Sequence, residues 1–200
     1  MRGIPGVRPR AEAMKSDHEL LQMVRRGDPA GTEALFEKYS GPLLRLADRM
    51  LSNRAEAEEV AQEVFLKMIS RVSQYDGRAA VSSWLFAICA NACRDRLRRG
   101  RRAVVVPLDA AAETASAAES ADERLLGRER KNAVRAALSR LSEEQREALV
   151  LARYHGMPYA EIARVLDITE GAVKTRIFRA METLKSLFSE GESKWNVVTS

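Results

Sequence analysis

The stretch from Ser142 to Leu184, SEEQREALVLARYHGMPYAEIARVLDITEGAVKTRIFRAMETL, decides the fold. Ser142 with Gln145 three residues on forms a capping box, and Ala148, Leu149, Leu151 and Ala152 supply an apolar face before Gly156 ends a first helix. Pro158 suits the start of a second, Tyr159 to Leu166, in which Ile162, Ala163 and Leu166 fall at helical spacing. Asp167, Ile168 and Thr169 form a three-residue turn, and Thr169 caps a third helix. There Val173, Ile177, Ala180, Met181 and Leu184 share one side, while Ala172, Thr175 and Arg179 face away, flanked by Lys174 and Arg176. Two short helices on a tight turn, the last with a cationic outer face, fit a DNA major groove, where arginine reads guanine edges and lysine or threonine holds phosphate. The competing reading is a solvated basic face on an ordinary bundle.

Outward from this segment, 200 residues suffice for one large or two small domains; helix-rich composition with few aromatics favours the all-α class, and two domains are expected. A net charge of +5 suits a polyanionic partner, and its distribution says more than its size. Six arginines fall within the nine residues from Arg94 to Arg102, whereas Ala103 to Glu129 is acidic and alanine-rich. That segment is too polar to build a core and reads as a flexible tether over 103–124. Residues 1–15 read as a disordered Gly, Pro and Arg arm in which Met14 offers an alternative start, and 189–200 as a tail. No apolar run approaches membrane-spanning length and the basic start lacks the core of a secretion signal, so direct membrane insertion is not expected and the protein is placed in the cytoplasm. Cys89 and Cys93 lie one helical turn apart, a spacing awkward for a disulfide, with His18 and His155 remote; core packing outweighs a redox pair or half a metal site. No metal, cofactor or catalytic residue is expected.

Residues 16–102 read as a helical bundle. Ser16 with Glu19, Asp28 with Pro29, and Asn53 with Glu56 mark three helix starts. Leu35, Phe36, Tyr39, Leu43, Leu46, Ala47 and Met50 stripe the second helix, and Val60, Val64, Phe65, Met68 and Val72 the third. A loop, Ser73 to Ala80, leads to a fourth helix from about Val81 to Arg99. Trp84, Leu85, Ile88, Cys89 and Ala92 anchor its first half, and its basic second half can track phosphates. Glu59, Gln62 and Glu63 cluster on the third helix, either as a solvated face or as a dock for a basic partner. Tyr75, Arg78, Trp84 and Asn91 combine aromatic rings, an amide and a cation in the way unstacked single-stranded bases require, although Trp84 alone is more often core.

The strings AEEVAQEVFLKMI, SSWLFAICANACRDRLRR, LSEEQREALVLARYHGMPYAEIA and EGAVKTRIFRA, in that order, resemble the bacterial RNA polymerase sigma factors of the sigma-70 family, extracytoplasmic-function (ECF) subfamily. The resemblance spans Asp17 to Arg102 and about Leu125 to Phe188. It implies that a region 2 bundle, 16–102, binds the polymerase clamp and the −10 promoter element, and that a region 4 helix-turn-helix, 125–188, binds the polymerase flap and the −35 element. Glu59, Gln62 and Glu63 become polymerase contacts. Tyr75 and its loop resemble the element that captures a flipped base of the −10 strand, with Asn91 on the adjacent helix and Arg94, Arg96, Arg98 and Arg99 on the backbone. Ala79 and Ala80 are smaller than many relatives carry in that loop. Lys174, Thr175, Arg176 and Arg179 lie where the last helix enters the −35 groove, and Glu170 at its start is placed to accept from a cytosine amine. Implied partners are core RNA polymerase, promoter DNA and an anti-sigma factor, which often holds such proteins inactive. A stand-alone helix-turn-helix regulator is the alternative, with neither a heptad seam nor a ligand-binding pattern to support it; a metal-dependent nuclease lacks the paired carboxylates it needs.

Overall fold

The computed structural model describes residues 15–102 and 132–189, and every regular element among them is helical. The elements are α1 (Asp17–Arg25), α2 (Pro29–Leu51), α3 (Arg54–Arg71), α4 (Val81–Arg102), α5 (132–139), α6 (Glu143–Tyr154), α7 (Tyr159–Leu166) and α8 (Glu170–Ser189), with a single 3₁₀ turn at Val72–Gln74. The arm before residue 15 with Met14, the tether 103–124 and the tail beyond 189 lie outside the described residues.

Local chemistry sets the helix starts. Ser16 and Glu19 exchange bonds in a reciprocal capping box, Asp28 accepts from the Ala30 amide with Pro29 in the first turn, and Asn53 accepts from both Ala55 and Glu56. Ser142 and Gln145 repeat the box at α6, and Thr169 accepts from the Ala172 amide at 3.2 Å to open α8. Between α7 and α8, Asp167 takes the left-handed conformation at φ 55°, a geometry its short polar side chain tolerates.

In the first unit α2 lies against α1, α3 and α4. Leu35, Leu43, Leu46 and Met50 of α2 meet Val60, Val64 and Met68 of α3 and Leu85 of α4 with no exposed surface. Each such side chain contributes roughly 1.5 to 3 kcal/mol of burial. Cys89 and Cys93 are part of this core as free thiols; Cys89 Sγ donates to the Leu43 carbonyl at 3.7 Å, and its hydrogen-bond contact with Cys93 together with burial pushes its thiol well above the usual range. Gly31 lets α1 and α2 touch, because a Cβ there would stand 2.6 Å from Met23 Cβ and 2.7 Å from the Leu20 carbonyl oxygen.

The second unit packs α6 against α8, with α7 against both. Leu151, Ile162, Val173 and Ala180 form its centre. Phe36 and Met181, expected on apolar stripes, are instead exposed, and the first part of the Ser73 to Ala80 loop is wound into the 3₁₀ turn. Helix α5 had no separate expectation in the sequence. The two units also touch: α6 lies on α2 and α7 on α4.

Candidate nucleic-acid interface

Helices α7 and α8 form the tandem pair, and the outward face of α8 carries exposed Lys174, Thr175 and Arg179, with Glu170 exposed at its first turn. The Thr175 hydroxyl donates back to the Gly171 carbonyl at 2.9 Å. Arg176 does not join them. Its guanidinium turns toward α6, 3.6 Å from Glu144, and only 24% of the side chain is exposed. Phe178 takes the place on that face instead, 67% exposed and one turn beyond Lys174 and Thr175. From sequence alone it has no assigned role, yet its spacing from Lys174 and its position off the Val173, Ile177 and Ala180 seam mark it as outward, and a phenyl ring there suits a thymine methyl.

Upstream, the structure brings Tyr75 and Trp84 together, ring centroids 5.2 Å apart. Tyr75 is buried, its hydroxyl donates to the Ala79 carbonyl, and Arg25 from α1 donates to the Val72 and Tyr75 carbonyls at 2.9 Å each. Tyr75 therefore fastens the loop in this conformation, with Trp84 half-buried beside it. Arg78 next to Asp76, Asn91, Arg98 and Arg99 are exposed, and Arg98 pairs with Asp95.

The remaining arginines of α4 are engaged within the chain. Arg96 reaches Glu59 at 2.5 Å and Glu63 at 3.6 Å, so it joins α4 to the acidic face of α3. Lys67 binds Glu63 at 2.5 Å and, with Arg96, holds that carboxyl below its ordinary range; Gln62 is exposed beside them. The same region of α3 exposes Leu66 and Ile69, and Phe36 stacks on Phe65 at 4.8 Å. Arg94 pairs with Glu147 of α6 at 3.1 Å. Burial pushes the Glu147 carboxyl up to about 7, against the pull of Arg94 and Arg176. Among the described residues no group of three or more His, Cys, Asp and Glu is placed to hold a metal ion, and no helix is long and apolar enough to cross a membrane.

Residues 35–103 match the family model for Sigma-70 region 2, and residues 131–184 that for Sigma-70, region 4. The RNA polymerase sigma-H factor of Pseudomonas aeruginosa is 33% identical over 180 residues, covering 85% of this chain and 92% of that protein. The ECF RNA polymerase sigma factor SigM of Mycobacterium tuberculosis is 35% identical over 173 residues, covering 86% and 85%. Two solved structures share the fold at 24% identity: CnrH in complex with the cytosolic domain of CnrY, with a TM-score of 0.67 over 88% of this chain and 99% of that one, and RpoE of Bartonella quintana in complex with the anti-sigma factor NepR, with a TM-score of 0.62 over 78% and 96%. With both region matches in order on one chain and relatives aligned over most of their length, this protein belongs to the ECF subfamily of bacterial sigma-70 family RNA polymerase sigma factors, which direct promoter-specific transcription initiation.

Proposed function

We propose that α8 reads the −35 duplex through Lys174, Thr175, Phe178 and Arg179, with Glu170 at the groove edge and Arg176 bracing α8 against α6. The melted −10 strand is held along α4 by Asn91, Arg98 and Arg99, with Arg78 beside the loop, while Tyr75 and Trp84 shape that loop; Arg94 and Arg96 join the grip once released from their carboxylates. Glu59, Gln62 and Glu63 dock on the polymerase clamp. Units 16–102 and 125–188 act as the two readers, joined by the acidic tether. The chain has no enzymatic activity of its own, since polymerase does the chemistry, and it works in the cytoplasm. Like RpoE of Bartonella quintana, solved in complex with the anti-sigma factor NepR, it takes an anti-sigma factor.

The observation that carries this reading is the exposed cationic face of α8 on a tandem-helix scaffold, in one chain with the exposed acidic face of α3. Run-off transcription with core polymerase on promoter DNA tests it. Promoter-specific transcripts are expected; DNA binding without transcripts would leave a stand-alone regulator, and strand cleavage an enzyme.

A further inference from the structure

The loop that resembles a base-capturing element is poorly held by its own chain. Its first half is a single 3₁₀ turn with no side-chain cap, and the bond that closes it, from the Tyr75 amide to the Val72 carbonyl, is long at 3.4 Å. Hydrogen bonds in 3₁₀ turns are poorly aligned, so such a turn leans on its neighbours.

The neighbour is α1. Arg25, in its last turn, donates from one nitrogen, Nη2, to the Val72 carbonyl and to the Tyr75 carbonyl at 2.9 Å each, so both ends of the turn are pinned to a single atom. A cation at that end of a helix ordinarily answers the helix's own last carbonyls. This one reaches carbonyls 47 and 50 residues along the chain. Because the donor is charged, each bond is stronger than a neutral one of the same length. His18, two turns earlier on α1, stands beside the Tyr75 ring with centroids 6.4 Å apart, and a Cβ on Gly77 would lie 3.8 Å from its imidazole.

Helix α1 is in turn fixed to α2. Leu20, Leu21 and Val24 are buried, and Asp17 accepts from Lys38 at 2.5 Å and from the Tyr39 hydroxyl. A rigid line therefore runs from α2 through α1 to the loop. The Tyr75 hydroxyl ties down Ala79 and leaves Asp76, Gly77 and Arg78 at the tip, with the Arg78 side chain 90% exposed. The residues that match Sigma-70 region 2 begin at 35, past the end of α1, so that match gives α1 no task.

We propose that Arg25 is a positioning residue of the −10 reader: it presets the turn from Val72 to Tyr75 so that the tip meets the unpaired strand in one conformation, and base discrimination there depends on a residue of α1 that touches no DNA. The proposal rests on the reading of residues 73–80 as the strand-capturing loop. A loose loop is competent for only a fraction of the time, and affinity falls by that fraction. The loss lands on the preferred base, whose contacts need the preset shape, and hardly on the others.

Holoenzyme assembled from core polymerase and the Arg25→Ala chain is titrated on promoter DNA carrying each base in turn at the captured −10 position. Relative to wild type, binding to the preferred base falls about tenfold and to the others about twofold or less, so selectivity collapses. Arg25→Lys, whose ammonium gathers its donors on one nitrogen, recovers most of the difference. A direct phosphate contact would instead lower binding to every base equally. The latch is read separately in the free chain. With Trp195→Phe, Trp84 beside the Tyr75 ring is the only tryptophan, and its quenching by acrylamide rises in Arg25→Ala and stays near wild type in Arg25→Lys. Arg25 is exposed and α1 keeps its contacts to α2, so helical circular dichroism is unchanged; should Arg25→Ala lose helix, Arg25→Met, which keeps the stem without the donors, is read in its place. An equal loss on every base, no loss, a lysine variant no better than the alanine one, or Trp84 quenching that ignores Arg25→Ala overturns the proposal. Wild-type holoenzyme indifferent to the captured base removes the reading of the loop, whereas the Trp84 measurement judges the latch by itself.

Discussion

Glu147 and His155, both on or just after α6, carry opposite pH dependences. Burial raises the Glu147 carboxyl from an ordinary 4.5 to about 7, and burial with nearby Arg49 and Arg45 lowers the His155 imidazole from 6.5 to about 4. The raised carboxyl contributes stability that is full below about pH 4.5 and lost as pH rises through about 7. The lowered imidazole contributes stability present above about pH 6.5 and lost as pH falls through about 4. Between about pH 4.5 and 6.5 the two slopes oppose each other, so their sum is nearly flat. Each single variant unmasks the other group. Glu147→Gln leaves stability climbing by about 3 kcal/mol as pH rises through the imidazole's window, and His155→Gln leaves it falling by a similar amount through the carboxyl's window. Urea denaturation at about pH 5 and about pH 7.5 distinguishes them, and variants that track the wild type at both values would defeat the assignment. Also at this scale, Arg179→Ala costs about 1 to 3 kcal/mol on −35 duplex and relaxes preference at one position. Arg176→Ala leaves that preference intact and loosens α8 from α6 instead. Gel-shift titrations on single-base −35 variants separate the two.

Among the elements, helix starts were legible because caps are local: Ser16, Asp28, Asn53, Ser142 and Thr169 each act within three residues of themselves. The turn at Asp167 to Thr169 was readable for the same reason. Gly31 was not, since nothing near it says that α1 will fold back onto it. Gly31→Ala pushes a methyl group into backbone and costs about 1 to 3 kcal/mol in chemical denaturation; an unchanged midpoint would mean that α1 shifts freely. The site was half legible. Helical spacing placed Lys174, Thr175 and Arg179 on the outward face, where they are exposed, but it could not tell that Glu144 turns Arg176 inward or that Phe178 is left outside. The residue types likewise pointed to an aromatic platform at Tyr75, whereas the ring is buried beside His18 of α1 and Trp84 of α4.

At the scale of the molecule, sequence suggested two separate modules, because the tether is conspicuous and the seam where α6 meets α2 and α7 meets α4 is not. Its contacts join residues far apart in the chain, 78 positions for Ser83 with Glu161 and 96 for Met50 with Arg146, and no local pattern encodes them. Arg146 also donates to the Leu141 carbonyl at 3.4 Å, so its guanidinium serves α2 and the entry to α6 together. Arg146→Ala therefore costs about 1 to 3 kcal/mol for acceptors left unmet, and it separates a single thermal transition into two in calorimetry. One transition of unchanged midpoint would show that the seam carries no cooperativity.

Arg96 roots in the helix proposed to hold nucleic acid but pairs with the acidic face proposed to meet the enzyme. A basic visitor on Glu59 and Glu63 finds a resident counter-ion already there, and evicting it sets one positive charge loose on α4. Occupancy of one surface thus charges the other, so the two grips trade in the same guanidinium.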